Sequence, residues 1–411
     1  MKQLFQTCLL ITICLVTLAQ GGDKTSFGQY AKYQDSIFVS LYRQKDTKTF
    51  TSQLNEWITR YNQLPDNEKK KYKTLLARAY YNLACTYALT GSTSSALDYL
   101  EKSITAGYAD YTHMKSDEDL NSIRKNPRYT AIITPLRAVG DYQYILRKGQ
   151  AYNTKDAHRV PAFTYEKAEH PELKALRIGF KLDSIAGMGN DVSKVLNLLH
   201  WIHELIPHDG NHENPVVKNA LSMIAVCKKD SRGLNCRGLA TVLNECYLAM
   251  GFASRIVTCL PKDSLGIDPD CHVINMVYIP SLNKWIWADP TNDAYVMNET
   301  GELLDVREVR ERIIKQQPLI VNPTANWNHK ASTVKEDYLY RYMAKNLYIL
   351  QCPVNSTYDM ETRQQGKTIE YIQLNPLDYF KQKPQVRESI SSGTKLVIYN
   401  TNNPDIFWQK P

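Results

Sequence analysis

Three residues in the middle of the chain have the side-chain types that acyl-transfer chemistry needs: Cys236, His272 and Asp289. A thiolate can attack a carbonyl carbon, an imidazole can give a proton to the leaving amine, and a carboxylate can hold that imidazole in position. Cys236 begins a predicted helix whose apolar residues recur at helical spacing, and a helix N-terminus favours the thiolate. This arrangement predicts a catalytic triad.

The two partners of the thiol are predicted to lie on neighbouring strands of a hairpin. One strand covers residues 272–279 and the other covers residues 284–288, with a turn at residues 280–283. In an antiparallel pair, His272 near the start of one strand comes side by side with Asp289 at the end of the next. A slip of one residue would turn one side chain to the opposite face, so the hairpin is a geometric prediction.

Predicted helices precede these strands along the chain. They cover residues 192–205 and about 215–227, and a third begins near Cys236; a further strand covers residues 256–260. Helices followed by strands indicate an α+β fold in which helices pack on one side of an antiparallel sheet.

The oxyanion of an acyl-transfer intermediate needs hydrogen-bond donors. The backbone N–H of Cys236 is one natural donor, and the candidates for a second donor are His208, Trp201 and Asn235, of which His208 is preferred. Trp201 on an apolar helix has the setting of a core residue, and His208 has the setting of an ordinary loop residue. These alternatives stay open.

The residues around the triad resemble the transglutaminase-like superfamily of the papain-like fold. After the helix of Cys236, residues 251–255 are similar to that family's Gly-x-Pro-Ala-Arg ending, with Arg255 retained and Ala253 in place of proline. Residues 285–291 read Trp-Ile-Trp-Ala-Asp-Pro-Thr and match the family's Trp-x-x-x-Asp-Pro-Thr signature. The resemblance covers roughly residues 181–316, and the order Cys, His, Asp with intervals of 36 and 17 residues is also similar.

The resemblance implies a papain-like core and a cysteine-dependent enzyme that hydrolyses peptide or isopeptide amide bonds, with a peptide or protein as substrate and no cofactor. Members often carry an aromatic residue two positions after the histidine, where this chain has Ile274. That departure affects the shape of the acyl-donor pocket. The alternatives are transfer of a glutamine acyl group to an amine, and a non-catalytic scaffold that binds a protein or glycan.

The region before this core has a helical pattern over residues 49–134. Residues 77–110 resemble one tetratricopeptide unit with Gly91 in its turn. One unit cannot bury its own apolar face, so helices near residues 54–61 and 120–133 are expected to cover it. The predicted small helical domain either supports the catalytic domain or binds a protein partner.

These patterns divide the chain into four predicted segments. They are a signal peptide at residues 1–21, a tetratricopeptide-like helical domain at residues 22–155, a transglutaminase-like catalytic domain at residues 156–335, and a C-terminal extension of short strands and loops at residues 336–411.

The first residues have the pattern of an export signal, because Lys2 precedes an apolar run over residues 8–19 and small residues follow it. The protein is therefore expected to be exported, to the periplasm or the medium. Lipid anchoring at Cys14 is not expected, since Ile13 stands where a small residue is normally needed. No later stretch reaches the roughly 20 apolar residues of a membrane span.

Composition sets wider limits on the chain. With 411 residues, 43% of them hydrophobic, it is expected to form two or three globular domains. The net charge of +8 is spread along the chain and no nucleic-acid motif is present, so no nucleic-acid partner is predicted.

Seven cysteines follow the predicted signal peptide, and an odd number in an exported protein suggests one thiol kept free for chemistry. The others are expected to be buried and unpaired, although disulfides stay open. Cys271 and His272 are adjacent and could in principle bind zinc together with Cys236 or Cys259. However, the sequence lacks the closely spaced pairs of Cys or His residues that are typical of zinc sites. No metal is predicted.

Overall fold

The computed structural model describes residues 26–149, 151–155, 158–262, 270–377 and 385–411. The predicted signal peptide, with the candidate lipidation site Cys14, lies outside these residues. The described residues form two compact units, one within Met1–Tyr108 and Asp117–Ile132 and the other within Ala109–Ser116 and Ile133–Pro411. Within the described ranges, no helix is both long enough and apolar enough to cross a bilayer.

The first unit is helical. Its helices are α1 (Phe27–Gln44), α2 (Thr47–Asn62), α3 (Asp66–Leu89), α4 (Thr93–Thr105) and α5 (Pro127–Ile133). Ala84 of α3 and Ala96 of α4 are fully buried, so the two helices approach closely, as the small side chains predict. Its core also contains the stacked rings of Phe38 and Phe50. The tetratricopeptide-like interpretation of residues 77–110 stays a prediction.

The division between the units differs from the predicted boundary near residue 155. Helix α6 (Tyr142–Lys148) and the short helix Tyr111–Ser116 belong to the second unit. Ile145 and Leu146 of α6 explain this, because both are buried in the apolar cluster that covers the main sheet.

The second unit contains the helices that precede the sheet. They are α7 (Pro171–Gly179), α8 (Leu182–Ala186), α9 (Asp191–Leu205), α10 (Ala220–Asp230) and α11 (Cys236–Ala249). The prediction of a helix from residue 215 is wrong at its start. Asn219 explains the later start, because its side chain caps α10 by accepting a hydrogen bond from the backbone N–H of Ser222 at 2.9 Å.

The main sheet has seven strands in the order β6-β7-β5-β4-β1-β2-β3. Their bounds are β1 (Ser254–Leu260), β2 (His272–Ile279), β3 (Lys284–Ala288), β4 (Ile349–Pro353), β5 (Thr368–Leu374), β6 (Val386–Ser391) and β7 (Thr394–Thr401). Strands β2 and β3 form the predicted antiparallel hairpin. The sheet as a whole is mixed, because β5 and β7 run parallel. The α+β fold class is confirmed.

The predicted C-terminal extension is part of this sheet. Strand β4 pairs with β1, and β5 continues the sheet from β4, so these strands cover an edge that β1 would otherwise expose. The tail also differs from the prediction of strands and loops from Tyr338 onward. Residues Glu336–Met343 are π-helical and continue as the α-helical Ala344–Asn346; together they are called α13 here.

Helix α12 (Val306–Lys315) and a short helix α14 (Pro404–Phe407) complete the main elements of the second unit. The end of the chain is held by Arg255 of β1, which is almost fully buried. Its guanidinium donates to the carbonyl oxygens of Phe407 at 2.8 Å and Gln409 at 2.6 Å and lies 3.7 Å from the ring centre of Phe163. Arg255, the arginine of the family-like ending at residues 251–255, therefore anchors the C-terminal segment to the sheet.

Candidate active site

Cys236 is the first residue of α11, and the residues around it fix where the helix begins. The side-chain oxygen of Asn235 accepts a hydrogen bond from the backbone N–H of Gly238 at 3.2 Å. Asn214 accepts from the backbone N–H of Asn235 at 3.0 Å and donates to its side-chain oxygen at 2.7 Å. A Cβ at Gly238 would come within 2.7 Å of Asn214 Oδ1, so glycine is needed there. The thiol thus stands at a helix N-terminus, as predicted.

His272 and Asp289 meet through their side chains. Nε2 of His272 is 2.8 Å from Oδ2 of Asp289, and both side chains are buried. Their backbones are not directly opposite each other, because Asn275 pairs with Ala288 in the hairpin. The imidazole therefore contacts Asp289 diagonally across the hairpin. The two side chains lie next to each other as predicted, but the two residues are not paired in the strand register.

Asp289 also accepts hydrogen bonds from groups other than His272. Oδ1 accepts from the backbone N–H of Thr291 at 2.9 Å, and Oδ2 accepts from Asn292 Nδ2 at 3.0 Å and from the Tyr338 hydroxyl at 2.7 Å. Burial raises the pKa of Asp289, but the charge of His272 and these side-chain hydrogen bonds lower it below its usual value. The carboxylate is thus kept ionised in a buried position.

The electrostatics of the site favour an ion pair between the thiol and the imidazole. Burial raises the pKa of Cys236, but hydrogen bonds from His208 and His272, the charge of His272 and the backbone N–H of Val273 lower it to about 6. Burial lowers the pKa of His272, but the charge of Asp289 and hydrogen bonds to Asp289 and Cys236 raise it to about 10. Because Nε2 of His272 is bonded to Asp289, Nδ1 is the nitrogen left for the thiol.

His208 is held beside the thiol by its backbone. Asn328 accepts from the backbone N–H of His208 at 2.7 Å and donates to its carbonyl oxygen at 2.8 Å. His208 also forms a parallel bridge to Leu234, just before α11. Its ring is tilted against Trp327, with 6.2 Å between the ring centres. The imidazole can therefore donate a hydrogen bond to an atom bound at Cys236.

The two other oxyanion candidates have different surroundings. Trp201 is half-buried in the apolar cluster of the helices, where its ring centre lies 5.7 Å from that of Phe180. The side-chain oxygen of Asn235 is occupied by the helix cap described above. Of the three candidates, His208 is the one whose side chain hydrogen-bonds the thiol.

Residues 180–290 of the chain match the family model of the transglutaminase-like superfamily. These residues form a transglutaminase-like core. The match covers about a quarter of the chain and contains Cys236, His272 and Asp289. The resemblance seen in the sequence is confirmed over these residues.

Two further comparisons are short or distant. Over 55 residues, which are 13% of this chain and 16% of the other, the chain is 33% identical to a chloroplastic protein of Arabidopsis thaliana. A solved structure described as a putative cysteine protease from Cytophaga hutchinsonii is 17% identical, with a TM-score of 0.23, over 39% of this chain and 51% of the other. The chain therefore spans about a sixth of the first protein and about half of the second.

A cleft of about 460 Å³ opens beside His272. His208 and His272 line it together with Val334, and Trp327 of a short hairpin, Asn326–Trp327 with Ala331–Ser332, forms part of its wall. This hairpin is called the cleft hairpin below. Tyr342 of α13 also lines the cleft, with its ring edge-on to His272 at 5.2 Å between centres. The wall combines aromatic and polar side chains.

Three residues of this site were not identified from the sequence: Asn292, Tyr338 and Tyr342. Asn292 directly follows the Asp-Pro-Thr signature. Because it is only three residues after Asp289, its closeness to that carboxylate could have been predicted from the sequence. Tyr338 and Tyr342 are four residues apart, the spacing of one helix face, but the tail was assigned to strands and loops. Tyr338 in turn accepts a hydrogen bond from Trp287 Nε1 at 3.2 Å.

Cys236 differs from the other described thiols of the chain. All seven described cysteines are unpaired. Burial raises the pKa of the other six, which are Cys85, Cys227, Cys246, Cys259, Cys271 and Cys352. Cys236 is therefore the described thiol that is prepared to act as a thiolate near neutral pH.

Proposed function

We propose that this chain is an exported cysteine-dependent hydrolase of peptide or isopeptide amide bonds. In this proposal Cys236 is the nucleophile, His272 carries the proton and Asp289 orients His272. The observation that carries the proposal is the lowered pKa of Cys236, about 6, at a helix start beside an imidazole that a buried carboxylate holds. The apolar run near the N-terminus supports export.

In the acylation step, the thiolate sulfur of Cys236 attacks the carbonyl carbon of the amide and the carbonyl oxygen becomes an oxyanion. The imidazolium of His272 then donates its proton to the nitrogen of the leaving amine, and the carbon–nitrogen bond breaks. The products of this step are a free amine, a thioester on Cys236 and a neutral His272.

In the deacylation step, neutral His272 takes a proton from water while the water oxygen attacks the thioester carbon. The carbon–sulfur bond breaks, the acid leaves, and the thiolate–imidazolium pair is restored. Asp289 stabilises the charged imidazole in both steps. It also keeps the proton of neutral His272 on Nε2, so that the unprotonated Nδ1 faces the thiol.

The oxyanion is proposed to accept hydrogen bonds from the backbone N–H of Cys236 and from the side chain of His208. His208 suits this role because its side chain hydrogen-bonds the thiol and its backbone makes two hydrogen bonds with Asn328. Trp201 and Asn235 are supported less well by their surroundings.

The same thioester would give transamidation if a primary amine reached it before water. The open cleft with exposed Trp327 and Val334 admits a second side chain, and this favours keeping amine transfer as the second candidate. A non-catalytic scaffold is the third candidate, and the lowered pKa of Cys236 speaks against it.

The test is a screen of cell-wall peptides and unfolded proteins with the full chain, its Cys236→Ala variant, and a fluorescent primary amine in a parallel arm. Hydrolysis that disappears in Cys236→Ala supports the proposal, provided that the variant keeps the far-UV circular dichroism of the wild type. Amine incorporation without hydrolysis would replace hydrolase by transferase. Turnover that persists in Cys236→Ala would refute the nucleophile assignment.

A further inference from the structure

A second group of imidazoles lies behind the cleft hairpin. His203 of α9 is buried, Glu204 follows it, and His329 lies in the turn of the cleft hairpin. One possible ligand atom from each of these three residues lies within 4.8 Å of the other two. The rings of His203 and His329 are edge-to-face with 5.0 Å between their centres, and His329 Nε2 is 3.5 Å from Glu204 Oε1.

The hydrogen bonds of His203 leave one nitrogen facing an acceptor. Nδ1 is 3.1 Å from the carbonyl oxygen of Pro290, which can only accept, so Nδ1 carries a proton. Nε2 is 3.0 Å from Asn326 Oδ1. The orientation of Asn326 is fixed, because Oδ1 accepts from the backbone N–H of His329 at 2.8 Å and Nδ2 donates to Thr324 O at 3.1 Å. The lone pair of a neutral His203 would therefore point at another lone pair.

Two acceptors that face each other at this distance need a cation, either a second proton on the imidazole or a metal ion. We propose that His203 Nε2, Glu204 and His329 bind a divalent ion of the Zn²⁺ class, with Asn326 Oδ1 beside it. Two imidazoles and one carboxylate are a donor set that suits zinc. The hydrogen bond from His203 Nδ1 to a backbone carbonyl is the outer contact that metal-bound histidines usually make.

The distances allow the site to close around an ion. Zinc–ligand bonds of about 2.0–2.1 Å place tetrahedral ligand atoms roughly 3.3 Å apart, so the widest separation must contract by up to about 1.5 Å. The side chains of His329 and Glu204 are 52% and 46% exposed and can rotate, whereas buried His203 stays in place. No short sequence motif reveals this set, because the turn that carries His329 is far from α9 in the chain.

The ion would fix the cleft hairpin against α9. Asn328, which precedes His329 in that turn, holds the backbone of His208, and Trp327 lines the cleft. Pro290, the acceptor of His203, follows Asp289 directly. The ion therefore supports both sides of the cleft and takes no part in the reaction.

The test measures binding of Zn²⁺ to the full chain in a Cys236→Ala background. That background is needed because the thiolate with His208 and His272 would itself bind zinc. After treatment with a chelator, the protein is titrated with Zn²⁺ against a chromophoric competitor, and Co²⁺ is used for its visible spectrum. We expect one equivalent of ion, a tetrahedral Co²⁺ spectrum and a higher midpoint of thermal unfolding.

His329→Asn and Glu204→Gln should each weaken binding at least 10-fold. Both replace exposed side chains, and asparagine tolerates the positive φ of 55° at position 329. His200→Asn is the matched control, because His200 is an exposed imidazole one turn earlier on α9 that pairs with Asp293. It should bind Zn²⁺ as the parent does.

Two results would overturn the proposal. One is the absence of saturable binding in the Cys236→Ala chain, which would leave His203 as a doubly protonated imidazole. The other is binding that His329→Asn and Glu204→Gln leave unchanged, since the ion would then lie elsewhere.

Discussion

The imidazoles of His208 and His272 both hydrogen-bond the thiol of Cys236, but their surroundings differ. The imidazole of His272 is bonded to the buried carboxylate of Asp289, which stabilises its positive charge. The backbone of His208 is held by Asn328. Among the described hydrogen bonds of His208, none goes to a carboxylate. These surroundings agree with the proposed roles, in which His272 carries the proton and His208 donates a hydrogen bond.

Alkylation should show the difference between Cys236 and Cys271 directly. The reactive form is the thiolate, so the rate of Cys236 should stay high from neutral pH down to about 6 and fall below it. Cys271, whose pKa burial raises, should react appreciably only under alkaline conditions. Iodoacetamide labelling at pH 6, read by mass spectrometry of the two peptides, measures this. Equal labelling of both thiols would contradict the ion pair.

The carboxylate of Asp289 and the hydroxyl of Tyr338 should contribute unequally to turnover. Asp289→Asn should lower kcat by roughly 10²–10⁴-fold, because the amide cannot stabilise the imidazolium. Tyr338→Phe removes one of the hydrogen bonds to Oδ2 and should cost about 10-fold, equivalent to about 1.4 kcal/mol.

The pH profile separates a role in orientation from a purely structural one. In Tyr338→Phe, Asp289 is held less firmly beside His272 and stabilises the imidazolium less, so the pKa of Cys236 should rise above about 6 and activity should be lost at a higher pH on the acid side than in the wild type. A variant with reduced activity and an unchanged profile would assign Tyr338 to packing alone. Tyr342→Phe is the control, because it keeps the ring beside His272.

At the scale of elements, the start of α11 connects stability to reactivity. Asn235→Ala removes the cap and should lower the free energy of unfolding by about 1 kcal/mol, measured by urea denaturation. Asn235→Asp keeps an oxygen that can accept from Gly238, so it should stay folded, but its negative charge should raise the pKa of Cys236. If both variants lowered stability equally, the oxygen would not be acting as a cap.

The elements around the triad were predicted well where the pattern was local. The bounds of β2 and β3 agree with the prediction, because alternation and a turn with Pro280 define a hairpin by themselves. The start of α10 was missed, since the cap at Asn219 outweighed the apolar pattern that precedes it. Helix α13 was not predicted, because Tyr338 and Tyr342 face the candidate site. Their spacing of four residues indicates a helix only when the contacts with Asp289 and His272 are known.

At the scale of the whole molecule, the end of the chain belongs to the same folded unit as the triad. Arg255 is a buried cation whose hydrogen bonds go to the carbonyl oxygens of Phe407 and Gln409 and the hydroxyl of Tyr165. Burying such a group is costly unless its donors are satisfied. The last residues are therefore expected to contribute to stability although they are far from the cleft in sequence.

Two truncations test this anchor. A chain that ends at Asn403 loses both carbonyl acceptors and should be destabilised by about 2–5 kcal/mol, seen as a lower midpoint in urea. A chain that ends at Gln409 keeps Phe407 and puts a carboxylate where Arg255 already donates, so it should be at least as stable as the full chain. Equal stability of all three chains would show that Arg255 finds other acceptors.

The local parts of this protein could be predicted from short sequence patterns. A cysteine at a helix start, a histidine and an aspartate on one hairpin, and the signature around Asp289 follow from short patterns, because helix caps, alternation and turns act over a few residues. The way β4 to β7 complete the sheet, and the way Tyr338, Asn328 and His208 come close to Cys236, His272 and Asp289, became visible only in the folded chain. Those contacts join residues far apart in the chain, and long-range pairing leaves no periodic trace in a single sequence.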